Sequence, residues 1–386
     1  IDHEWLFQTG SALIDRLGGA TALSAARAAA IAVLAVLLLA IGVRSGLSPP
    51  VALLLSTVCV AAARPRFFFR PELVTLLVVP AAVWLFMTRT HRRSGVWLAL
   101  LISVMIVGAN AHGGALVVPI LLAGIFAGEM ADMAMTRRLE PRVLTTGIAG
   151  VAASVGALLV NPYGWRLFAV PFHLTELVDQ PHIPNPEWIP PTLATTPVLF
   201  GAMAIAFLVL VLAERRATRW SLFVMACALA LRHIRNLGLF FVLLPAAIAP
   251  ALASRNLFSS EAGDPHVRRR QRIFAAAASL ILSLSVAASP WPRFGVGFAT
   301  DYYPSAACDF MDLNGLPDSE LYNDVRFGGY LINRYGPERG VFQDDRNEIH
   351  NELLREIWEI FGRSDLVSWS ALLDRHAVDT ALVRYH

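Results

Sequence analysis

The chain has 386 residues, of which 56% are hydrophobic and only 16% charged, against about 25% charged in an ordinary soluble chain. That composition excludes a soluble enzyme for most of the length, and the absence of Lys (all 32 basic residues are Arg) excludes Schiff-base chemistry and a Walker-type phosphate loop, both of which need an amine. A net charge of +3 with dispersed Arg excludes a nucleic-acid surface, so no nucleic acid is expected as a partner, and Cys59, Cys227 and Cys308 are too far apart for a disulfide framework or a zinc site.

In chain order, residues 1–21 read as an extracytoplasmic amphipathic segment. Ten apolar stretches follow, at 22–43, 49–63, 71–88, 94–110, 114–134, 143–160, 196–213, 220–232, 237–253 and 273–289. A spanning helix needs about 20 such residues, and the second and eighth stretches are short. Arg collects in alternate connections, at 90–93, 136–142, 214–219 and, most densely, 268–272. Cytoplasmic loops are enriched in basic residues, so these four fall on one side if all ten stretches span. The fold class is therefore an α-helical polytopic membrane protein with about ten transmembrane helices over 22–290 and a small C-terminal extracytoplasmic α/β domain over 291–386. Residue 1 then lies outside, which predicts an earlier spanning helix upstream of Ile1.

From about residue 295 the charge rises. A helix is predicted over 304–314, closed by Gly315, then short strands at 320–323 and 341–343 with a Gly-containing helix over 325–334 between them. Residues 349–361 carry apolar positions at helical spacing. Ser368 is expected to cap a helix to Arg375, and 380–383 to form a last strand. Strands alternating with helices predict a mostly parallel sheet with Phe327, Leu331, Leu353, Ile357, Leu372 and Leu382 in the core.

Candidate chemistry concentrates in the connections assigned outside. Glu4 and His112, in Asn110-Ala111-His112-Gly113-Gly114, have the ligand types of a divalent metal ion. Asp2 or Glu4 could serve as a general base. Arg64, Arg66, Arg70, Arg232 and Arg235 suit a phosphate, which a guanidinium grips as a fork. Two readings of these Arg stand side by side, anion binding or snorkelling to the interface with neutralisation by Glu4 and Glu72. Asn161-Pro162-Tyr163-Gly164 reads as a helix stop and turn.

The order Glu4-Trp5-Leu6, Arg70-Pro71-Glu72-Leu73, Asn110-Ala111-His112-Gly113-Gly114, Asn161-Pro162-Tyr163-Gly164-Trp165-Arg166-Leu167, Glu187-Trp188, Arg232-His233-Ile234-Arg235-Asn236, Tyr322-Asn323 and Gly328-Gly329-Tyr330-Leu331-Ile332 resembles bacterial polytopic membrane proteins related to the GT-C glycosyltransferases. The resemblance covers most of the chain and implies transfer of a sugar from a polyprenyl-phosphate-linked donor to an extracytoplasmic acceptor at a bacterial inner membrane. It implies that Asp2 or Glu4 supplies the catalytic carboxylate, that Glu4 and His112 hold a divalent metal ion, and that Arg70 with Arg232 or Arg235 holds the lipid phosphate. It also places the family's principal catalytic Asp upstream of Ile1. The alternative is a catalytically silent relative that serves as a structural or assembly subunit among other subunits of a membrane complex. A transporter, which would need paired intramembrane carboxylates, has only Glu129 and Asp132 to draw on.

Overall fold

A computed structural model describes residues 4–91, 93–172, 187–255, 258–259, 265–287, 302–316, 320–336, 338–344 and 347–384. They divide into a helical unit, residues 4–172 and 187–287, and a C-terminal unit, residues 302–384.

Among the described residues of the helical unit, a helix occupies each of the ten apolar stretches. These are α1 Trp5–Arg44, α2 Pro49–Ala63, α3 Glu72–Met87, α4 Ser94–Ala111, α5 Val117–Thr136, α6 Pro141–Leu158, α7 Pro197–Ala213, α8 Ala217–Arg232, α9 Leu237–Ala253 and α10 Pro265–Ala287. Pro stands in the first turn of α2, α6 and α7, where its missing N–H costs nothing. α1 is two helices joined at a kink, because Gly18 and Gly19 leave the helical region and Gly19 takes φ 59°, which glycine adopts freely. The kink falls close to the predicted border between the amphipathic segment and the first apolar stretch.

Among the described residues, four helices are long and apolar enough to cross a membrane by length and composition: Trp5–Arg44, Gly113–Thr136 (α5 with its leading turn), Pro141–Leu158 and Ile234–Ala253. Three more, Glu72–Met87, Gly95–Ala111 and Pro197–Ala213, are apolar but shorter. The burial pattern fits an apolar surrounding. α9 is hydrophobic all round and has 14 of its 17 residues buried, as expected of a helix at the centre of a bundle. α7 instead turns Val198, Ile205, Phe207, Leu208, Val211 and Leu212 outward, each more than half exposed. A patch of that kind is a liability in water.

Side-chain contacts tie the helix ends together in two groups. At one end Arg89, 1% exposed, sends both terminal nitrogens to Glu129 at 3.0 and 2.5 Å and donates to Thr146 and to the Phe86 and Val143 carbonyls. Asp132 accepts from the Ala217 and Thr218 N–H groups at 2.6 and 3.1 Å and so caps α8. Arg219 reaches the Ala246 carbonyl at 2.6 Å, Arg255 the Leu212 carbonyl at 2.6 Å, and Ser48 the Phe258 carbonyl at 2.9 Å through its N–H. Glu129 and Asp132, the carboxylates a transporter would need, are thus occupied in joining helices. The four predicted Arg-rich connections belong to this end. The opposite end gathers residues near 4–7, 66–75, 110–116, 158–164, 187–189 and 232–236.

The C-terminal unit contains α11 Ser305–Asn314, β1 Glu320–Asn323, α12 Gly328–Tyr335, α13 Asn347–Arg363, α14 Leu366–Arg375 and β2 Val378–Leu382. Gly315 ends α11 in the left-handed conformation, as predicted. The two strands pair in parallel, Leu321 against Thr380, Tyr322 against Ala381 and Asn323 against Leu382. Phe327, Leu331 and Leu382 share one core cluster with Cys308 and Tyr330, while Ile357, Leu372 and Leu353 share a second.

Two expectations are corrected here. Residues 341–343 are not a strand. Their backbone is held by the side chain of Asn323, whose Oδ1 accepts from Phe342 N–H at 3.0 Å and whose Nδ2 donates to the Gln343 carbonyl at 2.8 Å. A buried amide thus takes the place of a strand ladder. The cap of α14 is Asp365 rather than Ser368. Asp365 accepts from the Val367 and Ser368 N–H groups, each at 3.1 Å, and Ser368 lies in the first turn with its hydroxyl on the same carboxylate.

Candidate functional site

The end of the helical unit opposite the Arg-rich connections carries two linked polar clusters. The first is built on the junction of α4 and α5. α4 stops at His112, whose extended backbone (φ −165°) lets a short turn over Gly113–Leu116 follow. The Gly114 N–H donates to His112 Nδ1 at 3.2 Å, and the Thr75 hydroxyl lies 2.7 Å from the same nitrogen. A nitrogen that accepts from an amide carries no proton, so neutral His112 bears its hydrogen on Nε2. Nε2 faces Glu4 Oε1 at 3.7 Å. Gly114 is required for this packing: a Cβ there would stand 2.7 Å from both His112 Nδ1 and Thr75 Oγ1. Beside the pair, Asn110 accepts from the Trp5 indole at 2.9 Å and donates to the Ile106 and Val160 carbonyls at 2.8 Å each, fixing the start of α1 against α4 and the end of α6.

The second cluster centres on Arg66, only 7% exposed. Its Nε donates to Glu72 Oε1 at 2.9 Å while Nη2 meets the other Glu72 oxygen, and Nη2 also reaches Glu187 Oε2 at 3.1 Å. Burial alone would lower the guanidinium's affinity for its proton, but the two carboxylates outweigh it and hold Arg66 above its ordinary range. Burial likewise would raise the Glu187 carboxyl, and Arg66, then Arg70 and Arg235, hold it below the usual carboxylate range. Arg70 lies 3.7 Å from Glu187 and is 52% exposed. Arg235 stacks over the Trp188 ring at 4.4 Å and donates its backbone N–H to the Glu187 carbonyl at 2.9 Å. His233 Nδ1 contacts the Trp188 carbonyl. Glu72 and Thr75 stand three residues apart in the first turns of α3, so one helix end carries a member of each cluster. The Phe7 and Phe69 rings, 5.2 Å apart, tie the start of α1 to the Arg70 loop.

Of the residues singled out in the sequence, Glu4 and His112 are brought together, and Arg70 and Arg235 both meet the Glu187–Trp188 segment, Arg70 at the Glu187 carboxylate and Arg235 over the Trp188 ring and through its backbone N–H. Arg232 is exposed in the last turn of α8 and joins none of these contacts among the described residues. Asp2 lies outside the described residues. Glu187, Trp188 and Thr75 carry the geometry without having been chosen as site residues, while Arg66, one of the Arg read as suited to a phosphate, is instead paired with Glu72, as the neutralisation reading expects. The Arg66–Glu187 contact joins positions 121 apart, for which no local pattern exists. Asn161 folds Asn161-Pro162-Tyr163-Gly164 into the predicted turn, accepting from Tyr163 N–H at 2.7 Å with Gly164 at φ 54°.

Glu4 and His112 offer two donors to a divalent ion, but His112 Nε2 carries its proton toward Glu4, and among the described residues no group of three His, Cys, Asp or Glu could hold a metal ion. The described residues therefore do not by themselves make a metal centre. What they can do is place a carboxylate beside a hydrogen-bond-oriented imidazole, next to guanidiniums that share one glutamate. No family model matches the chain, and no match is found among curated proteins.

Proposed function

We propose that the helical unit is an integral membrane protein of about ten spans, and that its Glu4–His112 end faces the extracytoplasmic side and transfers a sugar from a polyprenyl-phosphate-linked donor to an acceptor hydroxyl. The supporting observation is the convergence of Glu4, His112, Arg70 and Arg235, from four separated segments, on one end of the bundle. In this reading Arg70 grips the donor phosphate, the charge-assisted contact being roughly twice as strong as a neutral one, while the polyprenyl tail stays in lipid. Glu4 takes the proton of the acceptor hydroxyl as its oxygen bonds to the anomeric carbon. The bond from that carbon to the phosphate oxygen breaks, and polyprenyl phosphate leaves. His112, fixed by Thr75 and Gly114, orients Glu4. The C-terminal unit, with its parallel strand pair, is then an extracytoplasmic α/β domain.

A second reading is favoured by a particular observation: Arg66 is saturated by Glu72 and Glu187, and Arg70 and Arg235 share Glu187. That arrangement suits a structural ion-pair network in a catalytically silent subunit of a membrane complex. Reconstitution with a polyprenyl-phosphate-linked sugar separates the two. Sugar transfer predicts release of polyprenyl phosphate, loss of about 100-fold or more of turnover in Glu4→Gln with donor binding retained, and weaker donor binding in Arg70→Lys, whose ammonium lacks the fork. Neither binding nor turnover by the native chain would leave the silent subunit as the correct reading.

A further inference from the structure

The Arg-rich end of the helical unit holds a cavity with chemistry of its own. Ser48 precedes Pro49 and Pro50 at the start of α2, where a serine ordinarily accepts an N–H of the first turn. Proline has no N–H to give, and the Ser48 side chain makes no cap. Its backbone is used, the N–H by the Phe258 carbonyl and the carbonyl by Ala52 N–H, both at 2.9 Å. The hydroxyl, on a residue 4% exposed, has no hydrogen-bond partner among the described residues. Ser48 lines a cavity of about 520 Å³ between the end of α1, the start of α2 and α10. Arg268 and Arg272, one helical turn apart on α10, line it with Gln271 between them. The rest of the wall is mostly apolar: Leu39, Val43 and Leu53 on one side, Ala275 and Ala276 on the other.

We propose that this cavity binds an anionic phospholipid, with its phosphate between Arg268, Arg272 and the Ser48 hydroxyl and an acyl chain along Leu39, Val43 and Leu53. The two guanidiniums supply paired donors suited to phosphate oxygens, and the hydroxyl supplies a further donor that no described residue uses. A free phosphate would leave the apolar half of the cavity without an occupant. A phospholipid fills both halves, and basic pockets between spanning helices are suited to acidic head groups. The proposal rests on the membrane reading of the helices and not on sugar transfer, since none of these residues belongs to the Glu4–His112 end.

The full chain, delipidated in a neutral detergent, is titrated with phosphatidylglycerol, phosphatidylcholine or inorganic phosphate while thermal unfolding is followed. Phosphatidylglycerol is expected to raise the Tm, and the other two are not. Arg268→Gln with Arg272→Gln should raise the apparent Kd for phosphatidylglycerol about ten-fold or more, Ser48→Ala should raise it several-fold, and Val43→Trp, which fills the chain track, should abolish the effect. Ser48→Ala and Val43→Trp carry the test if the double variant does not fold. Equal stabilisation by phosphatidylcholine, or an unchanged Kd in these variants, overturns the proposal. Stabilisation by inorganic phosphate alone, insensitive to Val43→Trp, would make this a soluble-anion site and overturn the lipid assignment. Failure of the membrane reading would show separately, as a chain that stays in solution without detergent.

Discussion

Arg66 has the sharpest consequence at the level of single residues. It is buried between Glu72 and Glu187, so removing its charge strips the mostly buried Glu72 carboxylate of its ion pair, while Glu187 keeps Arg70. Arg66→Gln is expected to cost about 3 kcal/mol, read as a lower Tm in detergent, whether or not the chain is an enzyme. Glu187 gives the pair a pH dependence. Its folded-state affinity for protons is depressed, so its contribution is fully present above the unfolded glutamate value of about 4.3 and is lost as the pH falls below that through the folded value. The Tm of the native chain should therefore drop between about pH 5 and pH 3, and by less in Glu187→Gln; an identical drop in both would remove Glu187 from this role. The sequence made Glu4, His112 and Arg70 visible because ionisable groups stand out beside apolar runs. It concealed Glu187 because nothing local links a glutamate in a Pro-rich connection to an Arg in another segment.

Helices meet in this bundle where glycine lets them. A Cβ on Gly128 of α5 would stand 2.6 Å from Thr218 Cα and 2.8 Å from its nitrogen, and backbone cannot give way as a side chain can. Gly128→Ala should cost about 2 kcal/mol through forced separation of α5 and α8, measured by detergent thermal unfolding. Gly156→Ala and Gly201→Ala, whose added carbons meet nothing within 4 Å, should be neutral or slightly stabilising, since Ala outranks Gly in a helix. Helix positions were legible because each apolar run ends at a polar or Pro-containing break. Residues 341–343 were misread because a short β-branched and aromatic run, Val341-Phe342, looks the same whether the backbone pairs with a strand or with the Asn323 amide. Asn323→Leu, which removes the bonds to Phe342 and Gln343, should destabilise the C-terminal unit by about 2–3 kcal/mol, seen as earlier loss of its near-ultraviolet circular dichroism.

At the scale of the molecule, the helical unit has two chemically different ends. One is stitched by Arg89–Glu129 and the Asp132 cap, the other by Glu4–His112 and the Arg66 cluster. In the proposed topology these ends lie on opposite faces of a membrane. Cysteine labelling tests it most directly, using exposed positions in a background with Cys59, Cys227 and Cys308 replaced by Ala. Leu139 and Arg269 mark the Arg-rich end, Trp165 the opposite end, and Leu313 the C-terminal unit; all four are exposed. In intact cells an impermeant maleimide should label Trp165→Cys and Leu313→Cys, and should reach Leu139→Cys and Arg269→Cys only after the membrane is opened. Labelling of Arg269→Cys from outside, or protection of Trp165→Cys until the membrane is opened, would contradict the two-faced bundle.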